Sequence, residues 1–239
     1  MNTVYYLIMV PMVYLAVAVC LIGVIARLIA LGRAPRHPHS LAIFPQRGPR
    51  FLGALGDTFG MPTVRRHQPL LWFFLLLYHL AFLVLIASHF DLFPGIRILP
   101  ADSPHMIGAG AVGVVLTLAL FYFLIRRFRS PIREITVPSD YLLLLLLLFL
   151  VLTGSTISWA NSWNSEAGGF VITKQDFGLY LDGLARFRFE DPREVLYGSH
   201  YIVVVLHVLL ANLFLILLPF SKIMHTFIAL PMNRLRRGA

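Results

Sequence analysis

Residues 70–90 read LLWFFLLLYHLAFLVLIASHF, and this long apolar run decides the fold of the chain. A helix of about 20 apolar residues spans the hydrocarbon core of a bilayer. The composition agrees, because 58% hydrophobic and 13% charged residues with a mean hydropathy of +0.78 are too apolar for a soluble domain. We therefore predict an all-α integral membrane protein in which residues 1–239 form a single membrane domain. Runs of this kind predict five spans, at about residues 4–31, 70–90, 106–125, 141–159 and 201–228.

The distribution of charge predicts how these helices are oriented. Two connections are long, residues 32–69 and residues 160–199. In a five-helix topology, the formal charges of the loops on the side of residues 32–69 sum to +12. The charges of the loops on the other side sum to −3, which gives the net charge of +9. Basic loops remain in the cytoplasm. We therefore expect the N-terminus outside, the C-terminus in the cytoplasm and residues 160–199 as an outer-face segment with a short amphipathic helix. The role of the basic loops in setting topology accounts for the positive net charge, which is therefore not interpreted as a sign of nucleic-acid binding.

The first helix and the first long connection carry separate expectations. The first apolar run has no cationic start and no small-residue cleavage site before it, which predicts a retained helix rather than a signal peptide. Residues 32–69 are rich in Pro, Gly and Arg and are predicted to be irregular, with an amphipathic turn at Leu52–Phe59 on the membrane surface. Loops of this length are usually functional or disordered, and this one suits docking of a cytoplasmic subunit.

Two pairs of histidines lie inside the predicted spans. His79 and His89 share the second helix, and His207 and His225, 18 residues apart, share the fifth. Eighteen residues make about five turns, which places His207 and His225 on one helix face. Ionisable residues at membrane depth are usually functional. If the two helices are antiparallel, His79 meets His225 and His89 meets His207, an arrangement that predicts two metals at different depths and is typical of a di-haem cytochrome b.

The other histidines have competing interpretations. His200 lies seven residues before His207, near the same helix face, and is the main rival as an outer ligand. His105, at the outer start of the third helix, could contact a quinone head group. The remaining three are expected to be solvated or interfacial: His37, His39 and His67.

The chain has one cysteine, Cys20, within the first helix. An iron–sulfur cluster needs several thiolate ligands, so any cluster in an electron path must belong to a partner protein. Cys20 itself is interpreted as a small packing residue.

The pattern H-x9-H followed by H-x17-H, with LLPFSKIMH before the last histidine, resembles the nitrate reductase gamma-subunit superfamily of di-haem cytochromes b. The resemblance covers essentially the whole chain, including RRFRSPIREITVPSDYLLLLLLL. Residues 44–79, FPQRGPRFLGALGDTFGMPTVRRHQPLLWFFLLLYH, are more similar to the cytochrome b of the sulfite-reduction-associated (Dsr-type) complex or of membrane-bound heterodisulfide reductase. Relative to nitrate reductase, Ser88 replaces a glycine, and His105 stands near a quinol-site lysine.

The resemblance implies a set of cofactors and partners. Two haem b groups would be held at their iron by His79, His89, His207 and His225, with a menaquinone or other quinone site near the outer haem. Electrons would pass between the quinone and a cytoplasmic iron–sulfur subunit resembling heterodisulfide reductase, in dissimilatory sulfur metabolism. A respiratory nitrate reductase or a heterodisulfide-reductase-type complex is the alternative. The implied location is the cell inner (cytoplasmic) membrane, with further membrane or outer-face subunits.

A non-redox protein, either a transporter or a membrane anchor, is the alternative of another class. Transporters usually carry carboxylates at membrane depth and paired repeats. The sequence shows neither feature. An optical spectrum of the purified protein separates the two classes.

Overall fold

The computed structural model describes residues 2–33, 49–99, 110–166 and 171–237, and its regular structure over these ranges is helical. Short 3-10 turns lie at Pro192–Glu194, Leu218–Phe220 and Lys222–Met224. The helices are α1 (Asn2–Met9), α2 (Pro11–Arg33), α3 (Arg50–Gly60), α4 (Pro62–His67), α5 (Pro69–Phe90), α6 (Ala111–Arg127), α7 (Ile132–Ile135), α8 (Pro138–Glu166), α9 (Lys174–Ala185), α10 (Tyr201–Leu217) and α11 (His225–Arg236).

Four helical segments are long and apolar enough to cross a membrane, which makes the chain a multi-pass membrane protein. They are Thr3–Arg33, Pro69–Phe90, Pro138–Glu166 and Tyr201–Phe220. The remaining predicted span, residues 106–125, corresponds to α6, whose 17 described residues measure about 26 Å at the helical rise, short of a typical hydrocarbon core. Residues 106–109 of that predicted span lie outside the described residues. The described residues thus contain four candidate spans, whereas the span at residues 106–125 and the orientation of the termini stay predictions.

The last predicted span differs most from the structure. Instead of one helix over residues 201–228, α10 ends at Leu217 and two 3-10 turns follow before α11 begins at His225. Pro219 lacks the backbone N–H that would continue the helical hydrogen bonding. Ser221 then adopts an extended backbone, and its Oγ accepts a hydrogen bond from the Ile223 N–H at 3.2 Å. His207 and His225 therefore lie on two different helices, and the prediction that they share one helix face is wrong.

The described chain divides into two compact units, of which the first comprises Met1–Ala16 and Leu76–Phe214. Its core forms around the break between α1 and α2, where Pro11 interrupts the helix. The Tyr180 hydroxyl donates to the Met9 carbonyl at 2.5 Å, and the Asn212 amide donates to the Ile8 carbonyl at 3.0 Å. Two buried side chains thus satisfy carbonyls at this break. The surrounding apolar core consists of Met9, Val10, Ile157, Ile172, Tyr180, Leu184, Leu196, Tyr201, Val204 and Val205.

Helices α6 and α8 pack along each other within this first unit. The buried Asp140 carboxylate, in the first turn of α8, accepts a hydrogen bond from the Arg127 guanidinium at 3.1 Å. The Tyr141 hydroxyl donates to the Arg127 carbonyl at 2.8 Å. In the connection after α8, a capping box between Thr173 and Asp176 begins α9, which provides the short helix expected in residues 160–199.

The second unit comprises Val17–Leu75 and Leu215–Ala239. Helix α3 covers the predicted turn at Leu52–Phe59 and packs against α11. Arg237 donates two hydrogen bonds to Asp57, at 2.6 and 3.0 Å, and the Asn233 amide donates to the Thr58 hydroxyl at 2.9 Å. The Trp72 indole N–H donates to the Gly60 carbonyl at 2.9 Å. These bonds fix the end of the first long connection to the start of α5 and to α11.

Candidate metal centre

The structure brings His89 of α5 and His207 of α10 together. Their ring centres are 6.4 Å apart, and their ring planes lie within 20° of parallel. Imidazole nitrogens lie about 2.0 Å from a bound metal, so one metal between two rings separates the ring centres by about 6.2 Å. The observed separation is therefore compatible with two histidines that would hold one metal between them.

A hydrogen bond within α5 fixes the tautomer of His89. Its Nδ1 lies 2.8 Å from the Leu85 carbonyl oxygen. A carbonyl can only accept, so Nδ1 must carry the proton and Nε2 holds the lone pair that a metal requires. Metal-bound histidines almost always donate their second N–H in this way, which orients the ring and raises its basicity.

His207 reaches the same state through a neighbouring helix. Its Nδ1 lies 3.0 Å from the Thr153 hydroxyl oxygen of α8. That hydroxyl lies 2.8 Å from the Phe149 carbonyl oxygen and 3.0 Å from the Leu150 carbonyl oxygen. Both oxygens can only accept, so the hydroxyl proton is directed toward this pair of carbonyls. The Thr153 oxygen can therefore act only as an acceptor toward His207. Nδ1 of His207 then carries the proton, and Nε2 is the nitrogen with a lone pair.

Gly154 allows α8 to approach the His207 ring. A Cβ atom at this position would lie 3.1 Å from Cε1 of His207, closer than ordinary van der Waals contact. Two consecutive residues of α8 thus contact the His207 imidazole. Thr153 accepts a hydrogen bond from its Nδ1, and Gly154, which lacks a side chain, allows the ring to lie against the helix. Neither residue is predicted from the sequence. A Thr-Gly pair within an apolar helix is the available signal, since small residues mark close helix contacts in membranes.

The other two predicted ligands belong to different units. His225 begins α11 in the second unit, and its Nδ1 donates to the Lys222 carbonyl at 2.8 Å, which again leaves the lone pair on Nε2. His79 lies on α5 in the first unit, with its ring centre 5.4 Å from that of Tyr78. Both rings are exposed. Their pairing around a second iron stays a prediction.

His200 is less suited to bind a metal than His207. The Asn164 amide nitrogen lies 3.0 Å from Nδ1 of His200 and donates to it. The proton of a neutral His200 therefore lies on Nε2, and neither nitrogen offers an unshared lone pair. Burial lowers the pKa of His200, which favours this neutral form. Nε2 of His200 is buried without a hydrogen-bond partner among the described residues.

The donor set fits a haem better than a bare metal ion. Within the described ranges, no group of three or more His, Cys, Asp or Glu side chains converges on one point. Two histidines would suffice as protein ligands of a haem, whose porphyrin would supply the remaining coordination of the iron. The ring separation and the tautomers of His89 and His207 are compatible with such a group.

An apolar cavity of about 130 Å³ lies between α6 and α8. Leu152 and Ser155 flank Thr153 and Gly154 on α8, so the cavity lies at the same level along this helix as the His207 ring. Its lining contains two hydroxyl groups in an otherwise apolar set: Gly113, Val114, Thr117, Leu118, Leu152, Ser155 and Trp159. The quinone-site candidate His105 lies outside the described residues.

Two similarities to known proteins bear on this site. The protein-family model described as "Nitrate reductase gamma subunit" matches residues 66–239, a range that includes all four candidate ligands. The nitrate reductase gamma chain of Bacillus subtilis (strain 168) is 32% identical over 143 residues. That alignment covers 57% of this chain and 60% of the relative, so the chain spans under two thirds of the length of this relative.

Proposed function

Because the chain belongs to the nitrate reductase gamma subunit family, we propose that it is the membrane cytochrome b subunit of a respiratory reductase. It would pass electrons between a membrane quinone and a cytoplasmic iron–sulfur partner. The single observation that carries this proposal is the pair His89 and His207, 6.4 Å apart, with Nδ1 of each ring held by an oxygen. A role in dissimilatory sulfur metabolism has less support than the nitrate reductase alternative, because both similarities are to nitrate reductase gamma subunits.

Four histidines would hold two haem b groups in this proposal. His89 and His207 would bind one iron through Nε2, and His79 and His225 the other. When bound, the haems supply one-electron transfer, and two histidines on each iron leave no position for a substrate. The protein positions the imidazoles through the hydrogen bonds at Nδ1 of His89, His207 and His225. Nδ1 of His225 donates to the Lys222 carbonyl just as Nδ1 of His89 donates to the Leu85 carbonyl. This shared orientation supports the inclusion of His225 among the ligands.

The quinone site is proposed at the end of the membrane domain that holds His89 and His207. A quinone tail requires apolar surroundings, and its head requires one or two polar groups. The α6–α8 cavity offers this combination at the level of His207, with the hydroxyls of Thr117 and Ser155 among its lining. His105, five residues before Gly110, would supply a proton donor or acceptor near the start of α6.

The partner is proposed to bind the cytoplasmic side of the chain. The excess of basic residues predicts that residues 32–69 and the C-terminus lie on this side. This side carries an excess of arginine, and Arg50, Arg65 and Arg66 are exposed. The bonds between Asp57 of α3 and Arg237 after α11 connect the two basic segments. The partner would supply the iron–sulfur cluster, since Cys20 is the chain's one cysteine. The proposed location is the cell inner (cytoplasmic) membrane.

Haem content of the purified chain tests this proposal. We expect an optical spectrum of a low-spin b-type cytochrome and two haems per chain by pyridine hemochrome. His207→Ala and His225→Ala should each remove one haem, because each deletes one axial ligand. His67→Ala changes an exposed histidine at the end of α4 and should keep both. A wild-type chain without haem would instead favour a membrane anchor or a transporter.

A further inference from the structure

The protons on Nδ1 of the candidate ligands are bound in two different ways. His89 donates to the carbonyl of Leu85, and His225 donates to the carbonyl of Lys222; both acceptors belong to nearby backbone. His207 instead donates to the side chain of Thr153, 54 positions away along the chain, and the Leu150 carbonyl of the same helix also interacts with its ring. Among these three contacts, the one to Thr153 can therefore be removed by substitution without altering the backbone.

The environment of Thr153 makes its hydroxyl a directed acceptor. Threonine in a helix commonly donates to a carbonyl one turn earlier, and Thr153 does so toward Phe149 at 2.8 Å. This bond satisfies its proton and turns an oxygen lone pair outward from α8. Gly154 then allows the His207 ring to lie against the helix, with Nδ1 3.0 Å from that oxygen.

A purely structural role for Thr153 is the competing explanation. Thr156, one turn further along α8, donates to the Leu152 carbonyl at 2.8 Å in the same manner. Back-bonded threonines are thus a general feature of this helix, and the bond to Phe149 alone would not indicate a function. What distinguishes Thr153 is the imidazole at its oxygen. Thr156 consequently provides a matched control on the same helix.

We propose that Thr153 is a positioning residue that fixes the Nε2 lone pair of His207 toward the iron and sets the reduction potential of that haem. The proposal rests on the proposed function, because it requires a haem held by His89 and His207. An acceptor at Nδ1–H raises the basicity of a ligating imidazole. A more basic ligand donates more charge to iron and stabilises the oxidised, ferric state. The Thr153 hydroxyl should therefore lower the reduction potential of this haem.

The test compares Thr153→Val, which keeps the branched shape without the hydroxyl, with Thr153→Ser, which keeps the hydroxyl. Both haems are titrated by optical spectroelectrochemistry, and the EPR signals of the oxidised protein report ligand orientation. Thr153→Val should raise the potential of one haem, shifting its ferrous-to-ferric ratio by up to about tenfold, which is 59 mV for one electron. Thr153→Ser should stay near wild type. Thr156→Val should change neither haem.

The outcomes separate this proposal from the proposed function. A wild-type chain without haem contradicts the function itself. Two bound haems with unchanged potentials and EPR signals in Thr153→Val overturn the role of Thr153 and leave the function intact. An equal shift in Thr156→Val also overturns it, because the effect would then belong to helix hydroxyls in general. If Thr153→Val loses a haem, retention and a wild-type potential in Thr153→Ser support the proposal, and loss in Thr153→Ser contradicts it.

Discussion

His207 and His225 are held by two different kinds of structure. His207 lies within the continuous helix α10, and a side chain of another helix, Thr153, binds its Nδ1. His225 begins a new helix, and the turn just before it binds its Nδ1 through the Lys222 carbonyl. The orientation of His207 thus depends on tertiary packing against α8, whereas that of His225 depends on local backbone. The two positions should therefore respond to different substitutions.

The largest expected difference comes from filling the space beside His207. Gly154→Val places side-chain atoms where a Cβ would already be 3.1 Å from Cε1 of the ring. Overpacking of this kind costs about 1–3 kcal/mol and displaces the ring or the helix. We expect haem content to fall from two per chain to one, measured by pyridine hemochrome. Gly183→Ala, which has open space around its Cβ, is the control and should retain both haems.

The next question is which histidine holds the haem that Gly154→Val retains, because only the His207 site should depend on α8. Adding His225→Ala to Gly154→Val should remove the second haem, whereas adding His207→Ala should change nothing further. If Gly154→Val retains both haems, α8 does not control the His207 site.

A smaller effect is expected from the turn that precedes His225. Ser221 caps this turn through the Ile223 N–H and donates to the Leu218 carbonyl at 3.1 Å. Loss of a capping hydroxyl costs about 1 kcal/mol. In a His207→Ala background, Ser221→Ala should therefore reduce occupancy of the remaining haem, measured by the reduced-minus-oxidised spectrum.

The same Ser221→Ala change in a His225→Ala background should leave the remaining haem unaffected, because α5 and α8, rather than this turn, supply the contacts of the His207 ring described above. Ser162→Ala removes an exposed hydroxyl from α8 and controls for the loss of a serine. Equal losses in the two backgrounds would show that Ser221 supports the fold in general rather than His225.

The helical spans and one histidine pair can be predicted from the sequence for clear physical reasons. Pro69 bounds the apolar run of α5, so the predicted and observed limits nearly coincide. The predicted meeting of His89 with His207 requires only antiparallel packing of two helices, and the structure brings these rings together. The assignment of both residues as haem ligands stays a prediction.

Other features depend on contacts that helical periodicity does not encode. A proline such as Pro219 can bend a helix or end it, and here the extended backbone of Ser221 ends it. Thr153 and Gly154 lie within an apolar run whose composition already satisfies the prediction of a span. Their role emerges only from the position of α8 beside the His207 ring.

The smallest effect is expected in the second unit, at the ion pair between Asp57 and Arg237. The Asp57 carboxylate raises the pKa of the Arg237 guanidinium through a side-chain hydrogen bond. Asp57→Ala should speed amide hydrogen exchange in α3, measured by mass spectrometry, without changing haem content. Glu190→Gln disrupts the exposed 3.9 Å pair with Arg188 and should leave the exchange of α3 unchanged. Haem loss in Asp57→Ala would mean that α3 supports a ligand directly.

The central claim is that His89 and His207 hold the same iron. Haem content of paired double variants tests it most directly. If two histidines bind the same iron, replacing both removes the same single haem as replacing either one. His89→Ala/His207→Ala should retain one haem per chain, as each single variant does, whereas His89→Ala/His225→Ala should retain none. One haem in the second double variant and none in the first would contradict the account, since His89 would then share its iron with His225.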